Sequence, residues 1–136
     1  MSASVVNTVP CDLYLYFLTK LALPDVIAFA QTSAVAYQLA RHELRARHRR
    51  MLRRFVSDPD AFLRALDASD ALISGSFALN YVAGEGSWSS TDLDLYANPE
   101  RFRVLLDYLV NHEGYRALAR PDVIKRKMTA EARRKK

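Results

Sequence analysis

The sequence predicts an α+β chain, helical to residue 68 and then built as a strand–helix–strand–helix unit. Three observations predict it. Through the first half apolar residues recur at helical spacing, as in Leu13, Phe17 and Leu21, or Tyr37, Ala40 and Leu44. The run Thr91-Asp92-Leu93-Asp94-Leu95-Tyr96 instead alternates polar with apolar, the period of a strand. Between them a short apolar run, Ala71-Leu72-Ile73, ends in Ser74-Gly75-Ser76, which reads as a strand turning into a helix.

The elements follow in order. Residues 1–9 are small and polar enough to be a loose arm. Pro10 opens a helix carrying Leu13, Tyr14, Phe17, Leu18 and Leu21. Pro24 ends it and starts a second with Val26, Ile27, Phe29 and Ala30 as its core candidates. Ser33 is placed to cap a third, longer helix. At about 100° per residue, Tyr37, Ala40, Leu44, Met51, Leu52 and Phe55 fall within one third of that helix's wheel. Arginines 45, 47, 49, 50, 53 and 54 take the remainder, with Leu39 off the apolar stripe and Arg41 inside it. His48 also lies within the stripe and is expected to pack there. Asp58-Pro59 restarts the chain as a helix with Phe62, Leu63 and Leu66 inward. Phe77 to Val82 reads as a helix broken by Gly84. Asn98-Pro99-Glu100 reads as a further helix start, placing Phe102, Leu105, Leu106, Leu109 and Val110 on one face. A charged helix or tail begins at Pro121.

Composition sets the bounds on this reading. A chain of 136 residues has room for one ordinary domain, or for a helical module joined to part of another. The second arrangement would divide it into a helical module over residues 1–56 and a partial second domain over residues 57–136 with a basic tail. With 50% hydrophobic and 26% charged residues it has globular composition. Its single cysteine, Cys11, excludes an internal disulfide and fits a reducing compartment. No stretch approaches the roughly 20 apolar residues that span a bilayer. The N-terminus lacks the early positive charge of a signal peptide, and Asp12 and Lys20 interrupt its apolar run. A cytoplasmic or nuclear protein without membrane association is expected. The net charge of +5 is concentrated in Arg41–Arg54 and Lys125–Lys136. Because no aromatic residues interleave with the arginines, only weak or non-specific nucleic-acid affinity is expected.

Chemistry is concentrated in residues 72–96. On a strand, Asp92 and Asp94 point to the same side, roughly 6–7 Å apart, while Leu93 and Leu95 face a core. Two such carboxylates repel each other unless a cation lies between them, and Mg²⁺ is held by one or two carboxylates together with substrate phosphates. At Gly75-Ser76, a glycine in a strand-to-helix turn admits a phosphate to the backbone, and the helix start offers free N–H groups. The competing reading places both aspartates in solvent on an edge strand, where charge discourages aggregation.

Taken in this order, Ile73-Ser74-Gly75-Ser76 followed by Asp92-Leu93-Asp94-Leu95 resembles the signature of the polymerase-beta-like nucleotidyltransferase superfamily. The resemblance implies that Gly75 and Ser76 hold a nucleoside triphosphate and that the catalytic carboxylates Asp92 and Asp94 bind Mg²⁺. Two departures stand beside it. The spacer of residues 77–91 is longer than is usual in the family, making the loop with Gly84, Trp88 and Ser89 an insertion. The superfamily also carries a third carboxylate on a later strand, and here Glu100, Asp107, Glu113, Asp122 and Glu131 all lie outside strand-like runs. The expectation is therefore a partial or degenerate transferase unit over residues 57–136, without the third carboxylate that turnover needs.

Residues 1–56 carry a second resemblance. Val9, Pro10, Leu13, Phe17, Leu18, Leu21, Pro24, Asp25, Val26, Phe29, Thr32, Ser33 and Tyr37 resemble an F-box, whose three short helices dock on a cullin-ligase adaptor. That implies an adaptor-binding surface over residues 9–40, and offers a non-catalytic interaction module as the alternative function. If Leu13, Phe17 and Leu21 are instead buried against residues 50–110, they are core and cannot dock.

Overall fold

Proline and polar caps set the starts of the first four helices. The computed structural model describes residues 9–84 and 88–118. Helix α1 (Cys11–Thr19) begins directly after Pro10, and α2 (Leu23–Ala30) carries Pro24 in its first turn. The Ser33 hydroxyl accepts the Ala36 N–H at 3.0 Å to open α3 (Ala34–Leu52). Asp58 does the same for Ala61, also at 3.0 Å, to open α4 (Pro59–Ala68). The chain then forms β1 (Leu72–Ser74), α5 (Gly75–Ala83), β2 (Asp94–Tyr96) and α6 (Phe102–Asn111). The architecture is α+β, with the helices first and a strand–helix–strand–helix unit after them.

The two strands are antiparallel, with Leu72 opposite Tyr96, Ile73 opposite Leu95 and Ser74 opposite Asp94. Alternation decides which side each residue takes. Ile73 and Leu95 pack on the core, while Leu72 and Tyr96 are left exposed on the other face. β2 is shorter than the alternating run predicts. Thr91 and Asp92 lie in a bend, and pairing begins only at Asp94 because β1 offers just three residues to pair with.

Two apolar clusters hold the fold. The larger joins Leu52, Val56, Phe62, Leu66, Phe77 and Leu105, bringing α3 to α6 onto the sheet. The smaller joins Leu18, Val26 and Ala40 between α1, α2 and α3. α3 serves both, and this changes its expected burial. Ala36, Ala40, Glu43 and Arg47 are its buried residues facing α1 and α2, while Leu52 faces the larger cluster. Tyr37, expected in the apolar stripe, is half exposed, and Arg47, expected on the wet face, is fully buried. A helix packed on two sides has no single stripe, so the one-stripe reading misplaces both residues.

α6 also starts later than predicted. Asn98 does not cap it. Its side-chain oxygen accepts the Glu100 N–H at 2.9 Å, forming a local turn, and regular helix begins at Phe102. Leu105, Tyr108 and Leu109 form its core side, leaving Phe102, Leu106 and Val110 exposed. The arm before Val9 and the segment expected to begin at Pro121 lie outside the described residues.

Candidate functional site

Gly75 stands at the turn from β1 into α5 with φ +68°, a conformation that side chains with a Cβ adopt only under strain. A Cβ there would lie 2.9 Å from Cγ of Asp94 and closer still to its Oδ2. The glycine thus makes room for the carboxylate of the facing strand. One residue on, the Ser76 hydroxyl donates to Oδ1 of Asp92 at 3.3 Å. Gly75, Ser76, Asp92 and Asp94 are thereby brought to one place, although residues 77–91 separate the pairs in sequence. Pairing of Ser74 with Asp94 supplies the register that does it.

The approach to Asp92 is fixed from behind. Asn80, buried in α5, donates its side-chain amide to the Trp88 carbonyl at 3.2 Å. Ser90 is buried just before the bend. These contacts hold the end of the long loop against α5 and leave both aspartates at the surface.

Among the described residues neither Asp92 nor Asp94 pairs with a lysine, arginine or histidine. The donor set is two carboxylates and a hydroxyl, all hard oxygen, which suits Mg²⁺ better than a softer metal. No group of three or more His, Cys, Asp or Glu gathers here or elsewhere among the described residues. A cation bound at the pair would therefore need further oxygens from substrate or water. The first turn of α5 carries no side-chain cap, so its N–H groups take no partner from the Ser74 side chain.

Glu113 is engaged elsewhere. It accepts hydrogen bonds from the Ser57 backbone at 2.7 Å, the Ser57 hydroxyl at 2.9 Å and the Tyr108 hydroxyl at 2.7 Å, fastening the end of α6 to the start of α4. Burial by itself would raise its pKa, but these bonds outweigh it and hold the carboxyl below its ordinary value. Glu100 and Asp107 are exposed and lie outside both strands.

No family model, curated protein or solved structure matches this chain.

Two residues behind the site escape the sequence reading. Arg47 is fully buried and donates to the carbonyls of Leu18 at 3.0 Å, Leu21 at 2.8 Å and Tyr81 at 3.5 Å. One side chain thus ties the end of α1 to the end of α5, with Glu43 at 3.7 Å as its counter-charge. The signal was present as Glu43 and Arg47 at i, i+4, but such pairs are usually exposed. Tyr81 is the second. Its hydroxyl donates to the Leu44 carbonyl at 3.3 Å and its ring lies 5.5 Å from that of His48. Gly84 completes this junction, since a Cβ there would meet the Leu21 carbonyl oxygen at 2.8 Å.

Proposed function

We propose that this chain is a nucleotidyltransferase-like protein that binds Mg²⁺ and a nucleoside triphosphate at Gly75, Ser76, Asp92 and Asp94. One observation carries the reading: a positive-φ glycine and a serine at a helix start converge with two carboxylates that have no cationic partner among the described residues. The arrangement also carries costs for the fold. The glycine adds backbone freedom to the unfolded chain, and the aspartates repel each other. A triphosphate with its metal offsets both.

In this reading the first-turn N–H groups of α5 and the Ser76 hydroxyl hold phosphate oxygens, and Gly75 lets the phosphate approach the backbone. Asp92 and Asp94 hold Mg²⁺, which supplies charge neutralisation of the phosphates when bound. Efficient transfer needs a further group to activate the acceptor hydroxyl, and no described strand carries a third carboxylate. Binding without rapid turnover is therefore the function assigned. Equilibrium titration with Mg-ATP tests it: the wild type binds, and Asp92→Asn weakens binding by about tenfold or more. Equal affinity in both, or none in either, removes the reading.

A second reading is favoured by a separate observation. Leu13, Tyr16 and Phe17 are 58%, 64% and 53% exposed on α1, while Leu18 on the same helix is buried. Leu21 packs on the smaller cluster formed with Val26 and Ala40. An exposed apolar face of this kind supports F-box-like docking on a cullin-ligase adaptor through residues 9–40, the non-catalytic alternative. Co-purification with the adaptor, lost on Leu13→Asp, tests it. The two surfaces share no residue.

A further inference from the structure

α3 carries a second cluster that the Gly75–Asp94 site does not use. Arg41 and Arg45 lie one helical turn apart, both exposed, and neither has an ion pair or hydrogen bond among the described residues. Their neighbours are engaged: Arg47 on carbonyls, Arg49 with Asp60 at 2.8 Å, Arg50 with Glu43 at 2.7 Å. Two cavities flank this free pair. On one side lies an apolar cleft of about 460 Å³ between α2, α3 and α5, whose wall includes Ile27, Tyr37, Leu44, His48 and Tyr81. On the other lies a polar cavity of about 390 Å³ edged by Gln38, His42 and Arg49.

We propose that the α2–α3–α5 cleft binds a nucleotide unit, its aromatic ring against Tyr37 and Tyr81 and its phosphate on Arg41 and Arg45. Arginine offers a planar fork of donors that matches phosphate oxygens. Tyrosine faces accept any base, since every base has a π-face. The cleft volume falls in the range of small-molecule sites, roughly 300–1,000 Å³. Burial holds the His48 pKa below its ordinary value, so at neutral pH that wall presents an uncharged ring beside Tyr81. No aromatic residues interleave with the arginines along α3 itself, but folding brings Tyr81 to them from α5.

This site stands independently of the proposal for Asp92 and Asp94. It is lined by no carboxylate and requires no divalent cation. Tyr81 is six residues along α5 from Gly75, or about 9 Å of helical rise. The nucleotide unit has two sources: a free mononucleotide, or one residue of a single strand whose neighbouring phosphate reaches the cavity edged by Arg49.

Fluorescence anisotropy with labelled AMP and labelled hexa-adenylate, at physiological salt with EDTA present, tests the proposal. EDTA silences the metal-dependent site, so failure here leaves the Mg-nucleotide reading standing, and the converse also holds. The wild type is expected to bind at least one probe. Arg41→Ser with Arg45→Ser should weaken that binding by about tenfold or more. Arg53→Ser with Arg64→Ser removes the same charge from exposed positions outside the cleft and should change it by no more than about twofold. Equal affinity for the two probes assigns the site to free nucleotide, and tighter hexa-adenylate binding assigns it to a strand. Binding of neither probe, or equal loss in both double variants, overturns the proposal.

Discussion

The Asp94 carboxylate lies where a Cβ on Gly75 would be, so any other residue there must push the carboxylate aside. Gly75→Ala therefore combines two penalties. A left-handed backbone costs an alanine about 1–2 kcal/mol, and the methyl group displaces Asp94 from the site. The variant should unfold at lower denaturant and lose Mg-nucleotide binding. Chemical denaturation monitored by circular dichroism, run beside a nucleotide titration, checks both effects.

Arg47 is the cation on which the junction of α1, α3 and α5 closes. Arg47→Met fills a similar volume but leaves the Leu21 carbonyl without its donor and Glu43 with Arg50 alone. Leaving a buried carbonyl without its donor costs about 1–3 kcal/mol. Arg45→Met, on the exposed side of the same helix, should stay within about 0.5 kcal/mol. Similar losses in the two variants, measured by urea unfolding, would contradict this assignment.

The His48 ring sits 6.2 Å from that of Phe77 and 5.5 Å from that of Tyr81, and burial lowers its pKa from the ordinary 6.5. The unfolded chain therefore takes up a proton at higher pH than the folded one. Its contribution to stability is present above pH 6.5 and is lost as pH falls through the depressed folded value. His48→Leu should flatten that part of the stability curve. Thermal melts across this pH range would show it, and an unchanged slope would count against the packing described.

Tyr108 gives the opposite sign at the alkaline end. Burial first, then its hydrogen bond to Glu113, pushes the phenol from 10 up to about 12. Its contribution is present below pH 10 and is lost as pH rises toward 12. Tyr108→Phe should remove this alkaline loss while weakening the tie between α6 and α4. Ultraviolet titration of the tyrosines, compared with the variant, detects the late-ionising group directly.

Much of this fold was legible because local chemistry decides it. Pro10, Pro24, Ser33 and Asp58 start their helices through their own backbone and side-chain preferences, which need no tertiary information. The strand pair at Ile73 and Leu95 follows from alternation against one core face. Within the candidate site, residues 75, 76, 92 and 94 could be chosen from composition and order, but their convergence rests on the Ser74–Asp94 register. What was not legible depends on partners distant in sequence. The burial of Arg47 is set by carbonyls 29, 26 and 34 residues away, and no wheel drawn on α3 contains them. Asn98 looked like a cap, yet its side chain serves a turn to Glu100, a competition between neighbouring residues that a cap preference alone does not resolve.

The most direct test of the central claim uses paramagnetic Mn²⁺ in place of Mg²⁺, with a non-hydrolysable nucleoside triphosphate, in an amide NMR spectrum of the whole chain. The account predicts selective broadening of Gly75, Ser76, Phe77 and residues 92–95, abolished in Asp92→Asn with Asp94→Asn. Broadening centred elsewhere, or none at these residues with the triphosphate present, would contradict it.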